Sequence, residues 1–231
     1  ADGNENEMTL ALRSSANWLP WLLLPWLISG CSTARTVDYP QAELVRAAAE
    51  VPDIERLDVG IILFDPGTSA DSLADEKKLI FPEVRQAEAR YMPYQLKTML
   101  ESSGYWGSVW VVPQRSDAVD LTVTGRIDLS NGLDVSVHIG AWDATGREWL
   151  NKGYAVRIPE KAYSQYREPG QDPYQVLYNQ IANDLLAARR KLSAAELRTL
   201  RNVAELRYGA QLVPEAFAGL LEQDRAGIYR L

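Results

Sequence analysis

Leu121-Thr122-Val123-Thr124-Gly125-Arg126-Ile127-Asp128-Leu129-Ser130-Asn131-Gly132-Leu133-Asp134-Val135-Ser136-Val137-His138-Ile139 decides the fold class. Leu121, Val123, Ile127 and Leu129 alternate with Asp120, Thr122, Thr124, Arg126 and Asp128. Beyond Asn131-Gly132, Leu133, Val135, Val137 and Ile139 alternate with Asp134, Ser136 and His138. Successive strand side chains point to opposite faces, so each run has one apolar and one polar face. Asn-Gly supplies the backbone that a tight hairpin requires. Asp143-Ala144-Thr145-Gly146 marks a second turn, and Tyr154, Val156 and Ile158 continue the pattern in a third strand. The unit is an antiparallel three-strand meander.

Upstream, the apolar run Leu57 to Phe64 ends at Asp65-Pro66-Gly67, which predicts a buried strand and a turn. A polar loop, 68–78, is long enough to suggest a functional segment. Pro82 opens a helix whose face carries Val84, Tyr91, Leu96, Met99 and Leu100, with Gly104 as its stop. Pro93 predicts a kink or a break inside it. Ser108 to Pro113 is a second strand. Downstream, Asp172-Pro173 is expected to cap a long helix bearing Tyr174, Leu177, Tyr178, Ile181, Leu185, Ala188 and Leu192 on one face. Ser193-Ala194-Ala195-Glu196 is a capping box that opens another helix, with Leu197, Leu200, Val203 and Ala204 inward. A further helix is expected near Pro214. This order predicts an α+β fold: a mixed sheet with an antiparallel three-strand meander, and helices packed on one face.

The amino terminus has a different character. Trp18 to Ile28 is an apolar core interrupted by Pro20 and Pro25 and preceded by Arg13. Roughly 11 apolar residues suit a signal peptide and are too few for a comfortable membrane-spanning helix. Leu27-Ile28-Ser29-Gly30-Cys31 resembles the lipobox of bacterial lipoproteins. That resemblance implies cleavage between Gly30 and Cys31 and a diacylglyceryl group on the Cys31 thiol. One acyl chain anchors only marginally, whereas several hold a protein firmly. Ser32 stands where an Asp would resemble an inner-membrane retention signal, so the resemblance implies the outer membrane, facing the periplasm. Residues 1–7 are acidic where a basic n-region belongs, and Met8 is expected to be the natural start. The expected organisation is 1–30 signal peptide, 31–52 lipidated tether, 53–192 α+β domain, and 193–231 carboxyl-terminal helices packed on that domain. A short helix is expected within the tether at Gln41 to Glu50.

The 231 residues carry a net charge of −7, with 46% hydrophobic and 24% charged residues. That balance is ordinary for a globular chain and lacks the basic excess of a nucleic-acid binder, so no nucleic-acid partner is expected. A single cysteine and a single histidine leave no disulfide framework and no Cys/His zinc cluster. No cofactor is expected beyond the covalent lipid on Cys31.

Within residues 55 to 190 the chain is similar to the amino-terminal domain of the TolB family and to LpoB-type envelope lipoproteins. The matching residues are Ser103-Gly104, Val123-Thr124-Gly125 and Asp143-Ala144-Thr145-Gly146. The resemblance implies fold and compartment. Pro93 and the helices after Ser193 depart from the family's pattern.

No catalytic constellation is visible. His138 would have to serve any His-dependent triad, yet it sits on the polar side of a strand, and no Gly-x-Ser-x-Gly turn accompanies it. Asp65 before Pro-Gly is a standard turn residue, and Asp128 and Asp134 flank the hairpin turn. Arg189-Arg190-Lys191 ends a helix, where positive charge suits the macrodipole. The aromatics are the more distinctive class. Trp142 and Trp149 bracket one turn, and Tyr163 and Tyr166 sit in the loop before the long helix, so these four are the candidate interface. The expected role is a binding or assembly module for another envelope protein, reached through a sheet edge, the 65–81 loop or the Tyr163–Tyr166 loop. The alternatives are a periplasmic glycan-binding module and a carboxylate-dependent envelope hydrolase.

Overall fold

The computed structural model describes residues 42–67, 81–158, 172–217 and 219–230. The expected signal segment, Cys31, the 68–78 loop, Tyr163 and Tyr166 lie outside these residues. Among the described residues, no helix is long and apolar enough to cross a membrane.

A short 3-10 turn, Asp53–Glu55, leads into β1, Val59–Ile62. Helix α1, Pro82–Ser103, returns the chain to β2, Val109–Val112. The meander follows as β3, Leu121–Ser130, β4, Asp134–Asp143, and β5, Glu148–Arg157. Helices α2, Gln175–Arg189, and α3, Ala194–Leu212, come next. A short α4, Pro214–Phe217, and a small hairpin of β6, Glu222–Gln223, and β7, Tyr229–Arg230, complete the described chain.

The five-stranded sheet has the order β2-β1-β3-β4-β5. β1 pairs in parallel with both β2 and β3, while β3, β4 and β5 pair antiparallel. The α+β class, the mixed sheet and the meander are as expected. α1 packs against β1, β2 and β3, α2 packs against β5, and the two helices touch each other, so together they cover one face. Ala89, Met92, Leu96 and Leu100 form the inward stripe of α1, and Leu177, Ile181 and Leu185 that of α2. α3 lies by the 3-10 turn and the β4–β5 turn: Arg201 donates to Asp53 O at 2.7 Å, and Arg207 to Ala144 O at 2.7 Å. Its Leu197, Leu200, Val203 and Ala204 join the same core as the sheet.

Four local expectations are corrected. Of the kink or break expected at Pro93, the break does not occur: α1 runs from Pro82 to Ser103 as one helix. Proline costs about 3 kcal/mol in a helix interior, and here buried side chains on both sides of it hold the halves on one core. The long helix begins at Gln175 rather than after Asp172: Asp172 Oδ1 accepts from Tyr174 N at 2.7 Å without capping the helix. Residues 42–50 are not helical, and the stretch from 42 onward, expected to be leash, is docked. Asn179 Nδ2 donates to Ala42 O and Asn183 Nδ2 to Glu43 O, both at 2.8 Å, while Ala47 N donates to Ser103 O. Finally, a β-bulge between Ile127 and Leu129 shifts the register of β3. The shift moves Ser130 to the buried side, where its hydroxyl donates to Glu88 Oε1 at 2.6 Å, and leaves Leu129 half-exposed.

Candidate interaction surface

Alternation along the strands gives the sheet two unlike faces. Val59, Ile61, Leu121, Val123, Val137 and Ile139 point into the core beneath the helices. The partners at the other parity are set by register. Trp110 lies beside Gly60, Gly60 beside Thr122, and Thr122 beside Trp142, forming one row across four strands. Val112 pairs with Ile62, Thr124 with Gly140, and Arg126 with His138. In the middle of the row Val119 packs over Gly60 and Thr122 is buried; at its ends and beyond, Trp110 is 43% exposed, Ile62, Val112, Thr124 and Trp142 are half-buried, and Arg126, His138, Asn151 and Gly153 are exposed. This face therefore combines an apolar strip, Trp110 with Ile62 and Val112, with a polar margin. Trp142 lies low over the strand, since a Cβ on Gly140 would come within 2.3 Å of the indole. Gly140 is thus the space in which the ring rests.

Trp142 and Trp149 do not act together. Ala141 pairs with Leu150 and Trp142 with Glu148, so Trp149 is the extra residue of a bulge. It packs against the core with its ring centroid 6.4 Å from that of Trp106, at 42°. Its indole Nε1 donates to Asp143 Oδ2 at 2.8 Å. The other Asp143 oxygen accepts from Thr145 N and Arg147 N at 2.9 and 3.1 Å. Trp149 is part of the turn's internal scaffold, and Trp142 alone of the pair lies on the sheet face opposite α1 and α2, on the side where Arg207 and Gln211 of α3 approach. Trp110 belongs to the open face and stood outside the expected interface set. Its signal was the run Val109-Trp110-Val111-Val112, in which period two places the tryptophan opposite the two buried-side valines.

The carboxylates considered for hydrolysis are occupied by structure. Asp65 Oδ1 accepts from Gly67 N at 2.8 Å, and its backbone bridges to β3 beside Arg126. Asp128 pairs with Arg126 at 2.8 Å, and Asp134 with Arg157 at 3.6 Å. Glu196 completes the capping box of α3, and its hydrogen bonds from Ser193 hold its carboxyl below the ordinary value. His138 Nε2 donates to Asn151 Oδ1 at 2.7 Å on the open face. Among the described residues, no group of three His, Cys, Asp or Glu side chains gathers to hold a metal.

Both sheet edges are unpaired among the described residues. β2 is short, and β5 is the longer edge. Lys152 on β5 pairs with Asp184 of α2 at 2.7 Å, and Tyr154 Oη donates to the same carboxylate at 2.7 Å. Burial opposes ionisation of Asp184, yet the bonds from Lys152 and Tyr154 prevail and lower its pKa. A lysine on an edge strand also discourages indiscriminate strand addition.

Beside the β4–β5 turn lies a cleft of about 620 Å³ between the sheet, α3 and the terminal hairpin. Trp142 lines it, with Arg207 and Tyr229 across from the turn. The Arg207 guanidinium pairs with Asp117 and stands 4.6 Å from the centre of the Tyr229 ring.

No protein-family model matches the chain, and no curated protein matches it. Among solved structures it is similar to a variant of PelC from Paraburkholderia phytofirmans, solved as a dodecamer. The match has 12% sequence identity and a TM-score of 0.35, and covers 66% of this chain and 98% of that one.

Proposed function

We propose that the chain is a lipid-anchored protein of the bacterial envelope, held through Cys31, whose folded domain binds another envelope protein. The supporting observation is the open sheet face, on which Trp110 is 43% exposed with Ile62 and Val112 beside it. A large aromatic ring 43% exposed among the described residues leaves apolar area in water, and tryptophans with aliphatic neighbours are preferred anchors of protein interfaces. The polar margin of Arg126, His138 and Asn151 fits the rim of such an interface. The long edge of β5 offers a second mode, strand addition. The lipid is assigned from the lipobox, and it would concentrate the domain at one membrane surface.

The test places a photo-crosslinking amino acid at position 110 of the full chain in cells, with a second at position 198 of α3 as control. The reading requires a discrete adduct with one envelope protein from position 110, absent from 198 and reduced in Cys31→Ala. Parallel labelling with a clickable palmitate analogue should mark the chain and leave Cys31→Ala unmarked. No protein adduct from position 110 would overturn the partner reading, and an unlabelled chain would overturn the anchor.

A further inference from the structure

The cleft beside the β4–β5 turn is separate from the apolar strip around Trp110, and its chemistry is different. We propose that it is a binding site for an acidic oligosaccharide, a sugar chain carrying carboxylates.

Its volume, about 620 Å³, is in the range of sites that enclose a small ligand. Two aromatic side chains, Trp142 and Tyr229, contribute to its lining. Trp142 rests over Gly140 and is half-buried, so its ring is held in place while part of it stays accessible. Rigid aromatic surfaces of this kind take the C–H faces of sugar rings at small entropic cost. Two amides, Gln211 and Gln223, supply paired donors and acceptors for hydroxyls. Gln223 is oriented by its own bond, Nε2 donating to Gly227 O at 3.0 Å, whereas the Gln211 amide has no protein partner among the described residues.

Charge selects among sugars. Three charged residues line the cleft: Arg115, Asp117 and Arg207. Asp117 and Arg207 form an ion pair, and Arg207 is further committed to Ala144 O and to the Tyr229 ring. That leaves the guanidinium of Arg115, which is exposed and has no partner among the described residues. A lone guanidinium is permanently charged and presents the planar fork that receives a carboxylate through two parallel hydrogen bonds. The positive site stands out on a chain whose net charge is −7. Among the described lining residues, one unpaired cation suits one carboxylate of the bound sugar chain. A phosphate ester would call for more positive charge, or for a nest of backbone N–H groups.

The test is calorimetric titration of the full chain in detergent micelles, with hexagalacturonate as the acidic probe and chitohexaose as the neutral one. The acidic probe should bind and perturb tryptophan fluorescence, and the neutral one should bind at least about tenfold more weakly, as expected when a charge-assisted pair is lost. Arg115→Ala should weaken hexagalacturonate by about tenfold, and since Arg115 is exposed and has no partner among the described residues its loss should leave the melting temperature unchanged. Trp142→Phe should weaken it further while keeping an aromatic ring over Gly140. No binding at millimolar probe, equal binding of the neutral chain, or unchanged affinity in Arg115→Ala would each overturn the assignment.

Discussion

Asp120 stands just before β3 and ties three strands to one point. Its Oδ2 accepts from Asp58 N at 2.8 Å, while Asp58 Oδ1 accepts from Ser108 N at 2.7 Å ahead of β2. Burial pushes the Asp120 carboxyl up to about 6, the Asp58 N–H opposes this, and the Asp58 charge adds to it, with Arg201 and Glu205 of α3 also in reach. The folded state therefore holds this proton more tightly than the unfolded chain does. The stability it contributes is present at low pH and is lost as pH rises from about 4 to 6. Asp120→Asn removes that loss and retains an acceptor for Asp58 N. Urea denaturation from pH 4 to pH 7 should show the variant gaining on the parent by at most about 3 kcal/mol. A difference that is flat with pH would mean that the carboxyl is not protonated in the folded state. None of this was legible in the sequence, where Asp120 reads as a polar residue before a strand. Its proton affinity is set by Asp58 and α3, which are distant in the chain. Trp142 and Trp149 make the same point, because a single bulge residue put two similar tryptophans to different uses.

At the scale of elements, local chemistry predicted well wherever it was satisfied locally. The capping box of α3 is complete: Ser193 Oγ accepts from Glu196 N at 3.2 Å, and Glu196 Oε2 accepts from Ser193 N at 2.9 Å. Ser193→Ala leaves the first-turn N–H without its acceptor and should lower stability by about 1 kcal/mol. Ser193→Asp should restore most of it. Chemical denaturation of the two variants decides the point, and equal losses in both would show that the hydroxyl does not act as a cap. Asn131 behaved as its position promised, its Oδ1 accepting from Asp134 N at 2.8 Å to close the hairpin. Elements whose form depends on distant contacts were misjudged. Pro93 allowed a break that buried neighbours on α1 override, leaving one helix, and Asp172-Pro173 resembled a cap although the helix begins two residues after the proline. The β6–β7 hairpin was not foreseen, since two-residue strands carry no alternation to detect.

For the whole molecule, the segment from residue 42 onward belongs to the folded domain. Val45 N donates to Asn183 Oδ1 at 2.9 Å, and Asn183 Nδ2 donates to Glu43 O at 2.8 Å. Leu44 packs on the core, and Tyr105 Oη donates to Arg46 O at 3.3 Å. One asparagine on α2 thus fastens the chain through both of its amide atoms. Asn183→Ala should release this stretch without unfolding the sheet. About 1–2 kcal/mol of local hydrogen bonding would be lost, so hydrogen exchange at the Val45 amide should quicken by roughly 5- to 30-fold. Unchanged exchange there would mean that Leu44 and Ala47 suffice to hold the segment.

The sequence by itself determined the α+β class, the meander and its turn, and the helices at 82–103 and 194–212, and the resemblance of Leu27 to Cys31 to a lipobox motivates the envelope proposal. These follow from periodicity, caps and short motifs, whose causes lie within a few residues of one another. Only the tertiary structure decided which strand face α1 and α2 cover, which tryptophan is exposed, that Arg115 lines a cleft with no partner among the described residues, and that residues 42–47 lie against the helices. Those outcomes depend on register, bulges and contacts between segments more than a hundred residues apart, as with Val45 and Asn183. Side-chain alternation names two faces of a sheet, but it is the packing of α1 and α2 that determines which one becomes the helix-covered core.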